Sequence, residues 1–253
     1  MKVASLSRAL LPLCLFVYFL PAMAAGQEDA NLVDAARQGD LRLIKMLMDM
    51  GANPRGTDKA GNTAVLMAAS QGNLSLARKF ADLGSDVDSK GGIGFTPLGI
   101  AALRGDARMV EFLLKSGARL DTVNDNGGTA LTNALETGNV LIAEMLLRAG
   151  ADVDIPNRDG LSPLMLVLQS GDAALFEAVL ARKPNMRTLD AEGRTALFFA
   201  ILKQDNPAVT SLLAKGADPN QLAQGYRPLH WARIAGGQGA ATLLEDAGAR
   251  ADE

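Results

Sequence analysis

The sequence predicts an all-α solenoid of about seven stacked helix-loop-helix units, each followed by an extended, turn-rich segment that we call the finger. The first observation is a repeat of fixed length: successive blocks begin 33 residues apart five times and 32 apart once, at Ala30, Thr63, Thr96, Thr129, Ser162, Thr195 and Arg227. A period of this length is typical of stacked supersecondary units rather than of one closed globular core.

The second observation is that glycine recurs in three columns of the repeat. The loop between the two helices of a block holds Gly39, Gly72, Gly105, Gly138, Gly171 and Gly236. The end of the second helix holds Gly51, Gly84, Gly117, Gly150, Gly216 and Gly248. The finger holds Gly61, Gly94, Gly127, Gly160, Gly193 and Gly225. Glycine at fixed positions indicates turns that need a left-handed backbone.

The third observation is the pattern inside one block, for which residues 96–128 serve as the example. Thr96 and Pro97 are a typical helix start, and Gly105 is a typical stop. Asp106 can cap a second helix, whose apolar residues recur at three-and-four spacing through Leu114. The first helix carries small residues and the second bulky ones, so neighbouring pairs can stack closely.

The resemblance to a known family rests on these same residues. Thr96-Pro97-Leu98, Ala101-Ala102, Gly105, Leu113-Leu114 and Gly117-Ala118 resemble the ankyrin repeat in both period and placement. The resemblance covers about seven blocks, near 30–62, 63–95, 96–128, 129–161, 162–194, 195–226 and 227–253. It implies a single ankyrin-repeat domain over residues 25–253, capped at both ends, whose histidine slot (His230) is structural and whose partners bind on the concave side of fingers and first helices.

The N-terminal segment, residues 1–24, has a different composition. Lys2 and Arg8 precede an apolar run, and small residues end the segment at Ala24. We expect a secretory signal peptide that is cleaved after Ala24. A transmembrane anchor is the alternative, but the run is shorter than the roughly 20 apolar residues that a span needs. The short signal and compact repeats favour a bacterial, periplasmic protein.

Cleavage would remove Cys14, the single cysteine, and leave 23 Lys and Arg against 28 Asp and Glu, a net charge of −5. A chain without cysteine suits an oxidising compartment and offers no thiolate chemistry. The scattered acidity argues against nucleic-acid binding, and we expect no membrane association after cleavage.

Few residues suggest chemistry. A lone histidine, His230, does not supply the three or four ligands of a metal site. The carboxylates fall where Asp and Asn cap helices and form turns, in the groups Asp86/Asp88, Asp152/Asp154 and Asp121/Asn124/Asp125. We therefore expect no catalytic residue, no cofactor and no metal, and hence no enzyme.

Two sets of residues are expected to face outward on the concave side. The set just before each helix start is Asn62, Phe95, Gly128, Leu161, Arg194 and Tyr226, and the set late in the first helices includes Gln71, Arg104, Glu136, Gln169, Lys203 and Ile234. Aromatic residues and arginine are common interface anchors. The candidate partner-binding residues are therefore Phe95, Arg104, Leu161, Arg194 and Tyr226, with packing onto neighbouring residues as the alternative role.

The pattern fails at two loops. Lys183-Pro184 replaces Gly-Ala in the fifth block, and Gln204 replaces glycine in the sixth. Because residues with a side chain resist positive φ, we expect both loops to be reshaped.

The leading functional hypothesis is a non-catalytic, monomeric periplasmic module that binds a partner protein. A narrower version rests on resemblance to exported bacterial ankyrin proteins, some of which are associated with catalase and peroxide defence. The alternative is an immunity protein that neutralises a periplasm-targeted toxin. A haem or metal chaperone, which would depend on His230, Met46, Met48 and Met50, ranks lower.

Overall fold

A computed structural model describes residues 27–252, which form seven consecutive helix pairs. The fourteen helices of this range are α1 (Gln27–Gln38), α2 (Leu41–Asp49), α3 (Ala64–Ser70), α4 (Leu74–Asp82), α5 (Pro97–Arg104), α6 (Ala107–Lys115), α7 (Ala130–Glu136), α8 (Val140–Ala149), α9 (Pro163–Ser170), α10 (Ala173–Leu180), α11 (Ala196–Leu202), α12 (Asn206–Ala214), α13 (Pro228–Ile234) and α14 (Gln238–Asp246). No β-strand forms within it, only two isolated bridges in fingers. The predicted all-α repeat solenoid is confirmed.

The first helix of most pairs begins at the hydroxyl residue that opens the block. The N-cap side chain accepts a backbone N–H three residues on at Thr63, Thr96, Thr129, Ser162 and Thr195. Asp106 caps α6 in the same way by accepting the N–H of Met109 at 3.0 Å. These bonds satisfy amides that would otherwise be unpaired at each helix start.

The glycine columns are the left-handed positions of the chain. All eighteen glycines with positive φ in residues 27–252 belong to the three columns. Gly150 shows the reason, since it ends α8 with a φ of 98° and donates its N–H to helix carbonyls. Most repeats therefore end both helices and turn their fingers through backbone conformations that glycine adopts without strain.

The expectation that Lys183 and Gln204 reshape their loops is wrong. Lys183 has a φ of 57° and Gln204 a φ of 56°, so both keep the left-handed conformation of the glycines that they replace. Gln204 lies between α11 and α12, and Lys183 follows α10. The packed helices fix these loops, and the local cost of about 1–2 kcal/mol is too small to change them. Gln204 also donates its Nε2 to the carbonyl of Ala235 at 2.6 Å.

The core is one continuous layer between the helices, running from Leu32 in α1 to Leu244 in α14. The first helices of successive repeats pack on one another more extensively than the second helices do. Their facing positions are small, as at Ala101 and Ala102, which are fully buried. Closer approach on one side makes that side the inner, concave one, as the resemblance implies.

The last repeat departs from the common pattern. At the C-terminal end Arg227 replaces the capping threonine and provides no side-chain cap. Asp252 accepts the Arg227 N–H at 3.2 Å, so the chain terminus closes the last repeat. Glu245, where earlier repeats have leucine, is exposed and lies 3.3 Å from Arg233. The leucines Leu147 and Leu180 at this position of earlier repeats are buried instead.

The expected signal peptide, residues 1–24 with its cleavage site at Ala24, lies outside the described residues. Among the helices of residues 27–252, none has the length and apolar character needed to cross a membrane.

Candidate protein-binding surface

The late residues of the first helices form the most regular exposed set on the concave side. All six of the predicted residues are exposed, as expected: Gln71, Arg104, Glu136, Gln169, Lys203 and Ile234. Leu103, Leu202 and Ile234 add exposed apolar surface to this position. The end of each first helix therefore offers side chains that the core does not use.

The expectation that Phe95 and Leu161 face outward is wrong, since their exposed fractions are 7% and 8%. Phe95 folds back over the start of α5, with its ring beside Gly99. Leu161 packs into the core cluster and lines the same groove as Leu135 and Leu166. The position before a helix start is thus a packing position in these two repeats, which matches the alternative role.

Arg194 is half-buried and holds a buried carboxylate. Its Nε lies 2.6 Å from Oδ2 of Asp190, whose side chain is fully buried, and its guanidinium also reaches Glu192 at 2.8 Å. The guanidinium carbon lies 4.8 Å from the centre of the Phe199 ring. Arg194 is therefore a structural residue of its finger, with only part of its side chain available to a partner.

Tyr226 is the one candidate aromatic residue that the structure leaves accessible, with 46% of its surface exposed. One face of its ring stacks on His230 at 4.2 Å between centroids. Trp231 stands edge-on to Tyr226 and donates its Nε1 to the carbonyl of Ala223 at 2.9 Å. The outer face of a ring held in this way can contact a partner with little loss of conformational entropy.

His230 has no threonine partner, because Arg227 occupies that position. Its Nδ1 lies 3.7 Å from Asp252, which also accepts the N–H of Arg227. Stacking on Tyr226 and the proximity of Asp252 give His230 a structural role in the last repeat.

The recurring acidic residues are used between and within repeats. Asp121 accepts the N–H of Asp152 at 2.9 Å, and Asp154 accepts the N–H of Asn185 at 2.7 Å. Asp88 bonds Arg119 in the same way. Each carboxylate thus joins one finger to the next, a role between repeats that the prediction of caps and turn formers did not include.

A second use of these side chains closes the fingers. Asn124 accepts the N–H groups of Asn126 and Gly128, and Asn157 and Asp190 make equivalent bonds. Within residues 27–252, no three His, Cys, Asp or Glu side chains are grouped so as to hold a metal ion. These side chains therefore have structural roles within and between the fingers.

The first finger shows the effect of these bonds on ionisation. Burial alone would raise the pKa of Asp58, but hydrogen bonds from Asn62, a finger backbone N–H and Arg37 outweigh it. They hold the pKa of this carboxyl below its ordinary value of 3.8. Asp58 is therefore a charged structural group at the N-terminal end of the concave side.

The fold and surface define a helical-repeat protein with a row of exposed side chains at the ends of its first helices. The family model for ankyrin repeats (3 copies) matches the chain in overlapping segments at residues 32–124, 67–159, 98–188, 141–223 and 164–253. The chain belongs to the ankyrin-repeat family. No characterised protein matches it at a significant level. Ankyrin repeats are protein-interaction modules, and proteins built from them are generally not enzymes.

Proposed function

We propose that this chain is an exported, non-catalytic, monomeric adaptor that binds a partner protein in the periplasm through its concave face. The observation that carries the proposal is that structural side chains and exposed side chains occupy different positions of the repeat. Threonine, glycine and acidic side chains support the scaffold, whereas Arg104 and the other late-helix residues, together with Tyr226 in the last finger, remain exposed. A curved row of accessible side chains on a rigid stack is suited to binding a protein surface.

The N-terminal sequence supports the proposed compartment. Residues 1–24 have the charged start, apolar run and small-residue end of a signal peptide. The repeats that follow contain no cysteine, which is compatible with an oxidising compartment. We therefore place the mature chain, residues 25–253, in the periplasm.

Our first candidate for the partner is a catalase or another protein of peroxide defence. The chain resembles exported bacterial ankyrin proteins, some of which are associated with catalase. A toxin delivered to the periplasm is the alternative partner, in which case the chain is an immunity protein. Both partners would bind the same face, so one capture experiment distinguishes them by the identity of the bound protein.

The proposal is tested by capture from periplasmic extract with the full chain carrying a C-terminal tag. Arg104→Ala and Tyr226→Ala together should lower the recovered partner about tenfold or more, because both remove exposed concave side chains. Arg108→Ala is the matched control, since Arg108 is exposed on the second helix of the same repeat as Arg104. Full recovery by the double variant would contradict the assigned face.

The compartment has its own test. N-terminal sequencing of the purified protein should begin at Ala25, and fractionation should recover it with periplasmic proteins. A mature chain that still begins at Met1 and stays in the cytoplasm would contradict the location while leaving the binding face to be tested separately.

A further inference from the structure

Four consecutive fingers expose an apolar side chain at one register position. The residues, each 33 apart, are Val123, Pro156, Leu189 and Leu222. Val123, Leu189 and Leu222 are 38%, 48% and 52% exposed. The first two fingers have Thr57 and Lys90 at this position instead. We call these four side chains the apolar row.

Hydrogen bonds between neighbouring fingers hold the residues of the apolar row in one line. Backbone bonds join Ala191 to Asp159 at 2.9 Å and Gln224 to Gly193 at 3.1 Å. The carboxylate bonds of Asp121 and Asp154 to the following repeats add to this alignment. With stacked helices about 8–10 Å apart, four such side chains span about 25–30 Å. That is the length of about nine residues of extended chain.

The fingers that carry the apolar row also carry a net negative charge. In residues 117–128, 150–161, 183–194 and 216–226 there are eight Asp and Glu against five Lys and Arg, a net charge of −3. The first two fingers, residues 51–62 and 84–95, are neutral in sum. Within residues 27–252, Asp121, Asp125, Asp154 and Asp159 make no ion pair. Arg158, Lys183 and Arg187 of the same fingers also make no ion pair within this range, but acidic groups outnumber basic ones. A basic partner would therefore meet a net negative charge beside apolar surface.

We propose that the apolar row binds a segment of the partner protein in which apolar side chains are interspersed with Lys or Arg. Apolar side chains of that segment cover the exposed surfaces of Val123, Pro156, Leu189 and Leu222. Its cations lie beside the acidic side chains at the edges of the row. This inference rests on the proposed function, since it names the chemistry of the partner that the adaptor binds.

The test measures direct binding of synthetic peptides, each labelled with a fluorophore, to the purified mature chain. The first peptide alternates Leu and Lys over ten residues, the second alternates Leu and Glu, and the third alternates Gly and Lys. The Leu–Lys peptide should bind at least about tenfold more tightly than either of the others, because it alone supplies both apolar contact and positive charge. Equal binding of the Leu–Glu or the Gly–Lys peptide, or no binding of the Leu–Lys peptide, would overturn the inference.

A pair of double variants locates the site. Leu189→Ser with Leu222→Ser should weaken Leu–Lys binding about tenfold, since it removes half of the apolar row. Leu41→Ser with Leu83→Ser removes two leucines that are 60% and 40% exposed elsewhere, and should bind as the unaltered chain does. All four side chains are exposed, so neither pair threatens folding, which circular dichroism checks. Equal weakening by both pairs, or none by the first, would overturn the inference.

The same first pair of variants separates this inference from the proposed function. If it still captures the periplasmic partner fully while Arg104→Ala with Tyr226→Ala does not, the adaptor function stands and the apolar row is not its site. If neither pair affects capture, both proposals fail.

Discussion

The buried carboxylate of Asp190 gives the sharpest prediction about the scaffold. Removing its partner through Arg194→Leu leaves a negative charge with no exposed surface and breaks the 2.6 Å contact of Nε with Oδ2. Losing a hydrogen bond to a charged group costs about 1.5–3 kcal/mol, and losing the contact with Phe199 adds about 0.5–1 kcal/mol. Glu192 is 61% exposed and adds little. We expect a loss of about 3 kcal/mol in the free energy of unfolding.

Another repeat of the chain shows which second substitution should restore the stability lost in Arg194→Leu. In the preceding repeat the equivalent residues are Asn157 and Leu161, and Asn157 Oδ1 still accepts two backbone N–H groups. Asp190→Asn combined with Arg194→Leu therefore removes the buried charge and keeps the bonds that close the finger. The double variant should lie within about 1 kcal/mol of the unaltered chain, because both members of the pair are replaced together.

Urea unfolding followed by helical circular dichroism measures both variants, with Asp190→Asn alone completing the thermodynamic cycle. The expected coupling energy between Asp190 and Arg194 is about 2 kcal/mol. A loss below about 1 kcal/mol for Arg194→Leu, or a double variant no more stable than that single one, would refute the reasoning that the arginine compensates a buried charge.

Three further predictions concern single positions. Asp154→Ala should cost about 1 kcal/mol in urea unfolding by removing the bond to Asn185, whereas Asp125→Ala should have no such effect. Lys183→Gly should raise the free energy of unfolding by about 0.5–1 kcal/mol by relieving a φ of 57°, and an unchanged midpoint would contradict the strain. Since the folded pKa of Asp58 is lowered, its charge stabilises the fold above the unfolded pKa, so Asp58→Asn should be the less stable form above about pH 5. The difference in the free energy of unfolding should shrink as the pH falls through the folded pKa. A difference independent of pH would contradict the claim that the charged Asp58 carboxylate stabilises the fold.

Much of the fold was predictable from the sequence because its determinants are local. A threonine hydroxyl caps the helix that it precedes, as at Thr96, and glycine supplies positive φ, as at Gly150. These effects depend on a few neighbouring residues, so the repeat shows them directly. Lys183 and Gln204 misled the prediction because packing of whole helices, which no local rule includes, outweighs the strain at one residue.

The candidate site was less predictable because exposure depends on contacts between segments. Phe95 is buried by packing on the start of the next helix, beside Gly99, and Arg194 by pairing with a carboxylate four residues earlier. Asp190 and Arg194 lie four residues apart in the sequence, and this spacing of opposite charges could have predicted their ion pair. The apolar row could also have been found, since Leu189 and Leu222 share one register position of the repeat.

The central claim is that a partner protein binds the concave side of this solenoid. Site-specific photo-crosslinking in cells tests it most directly, with the photoreactive residue placed at Arg104 or Tyr226 on that side and at Leu141 on the exposed surface of α8. We predict one protein adduct of the same mass from the first two positions and none from the third. Adducts from Leu141 alone, or from no position, would contradict the claim.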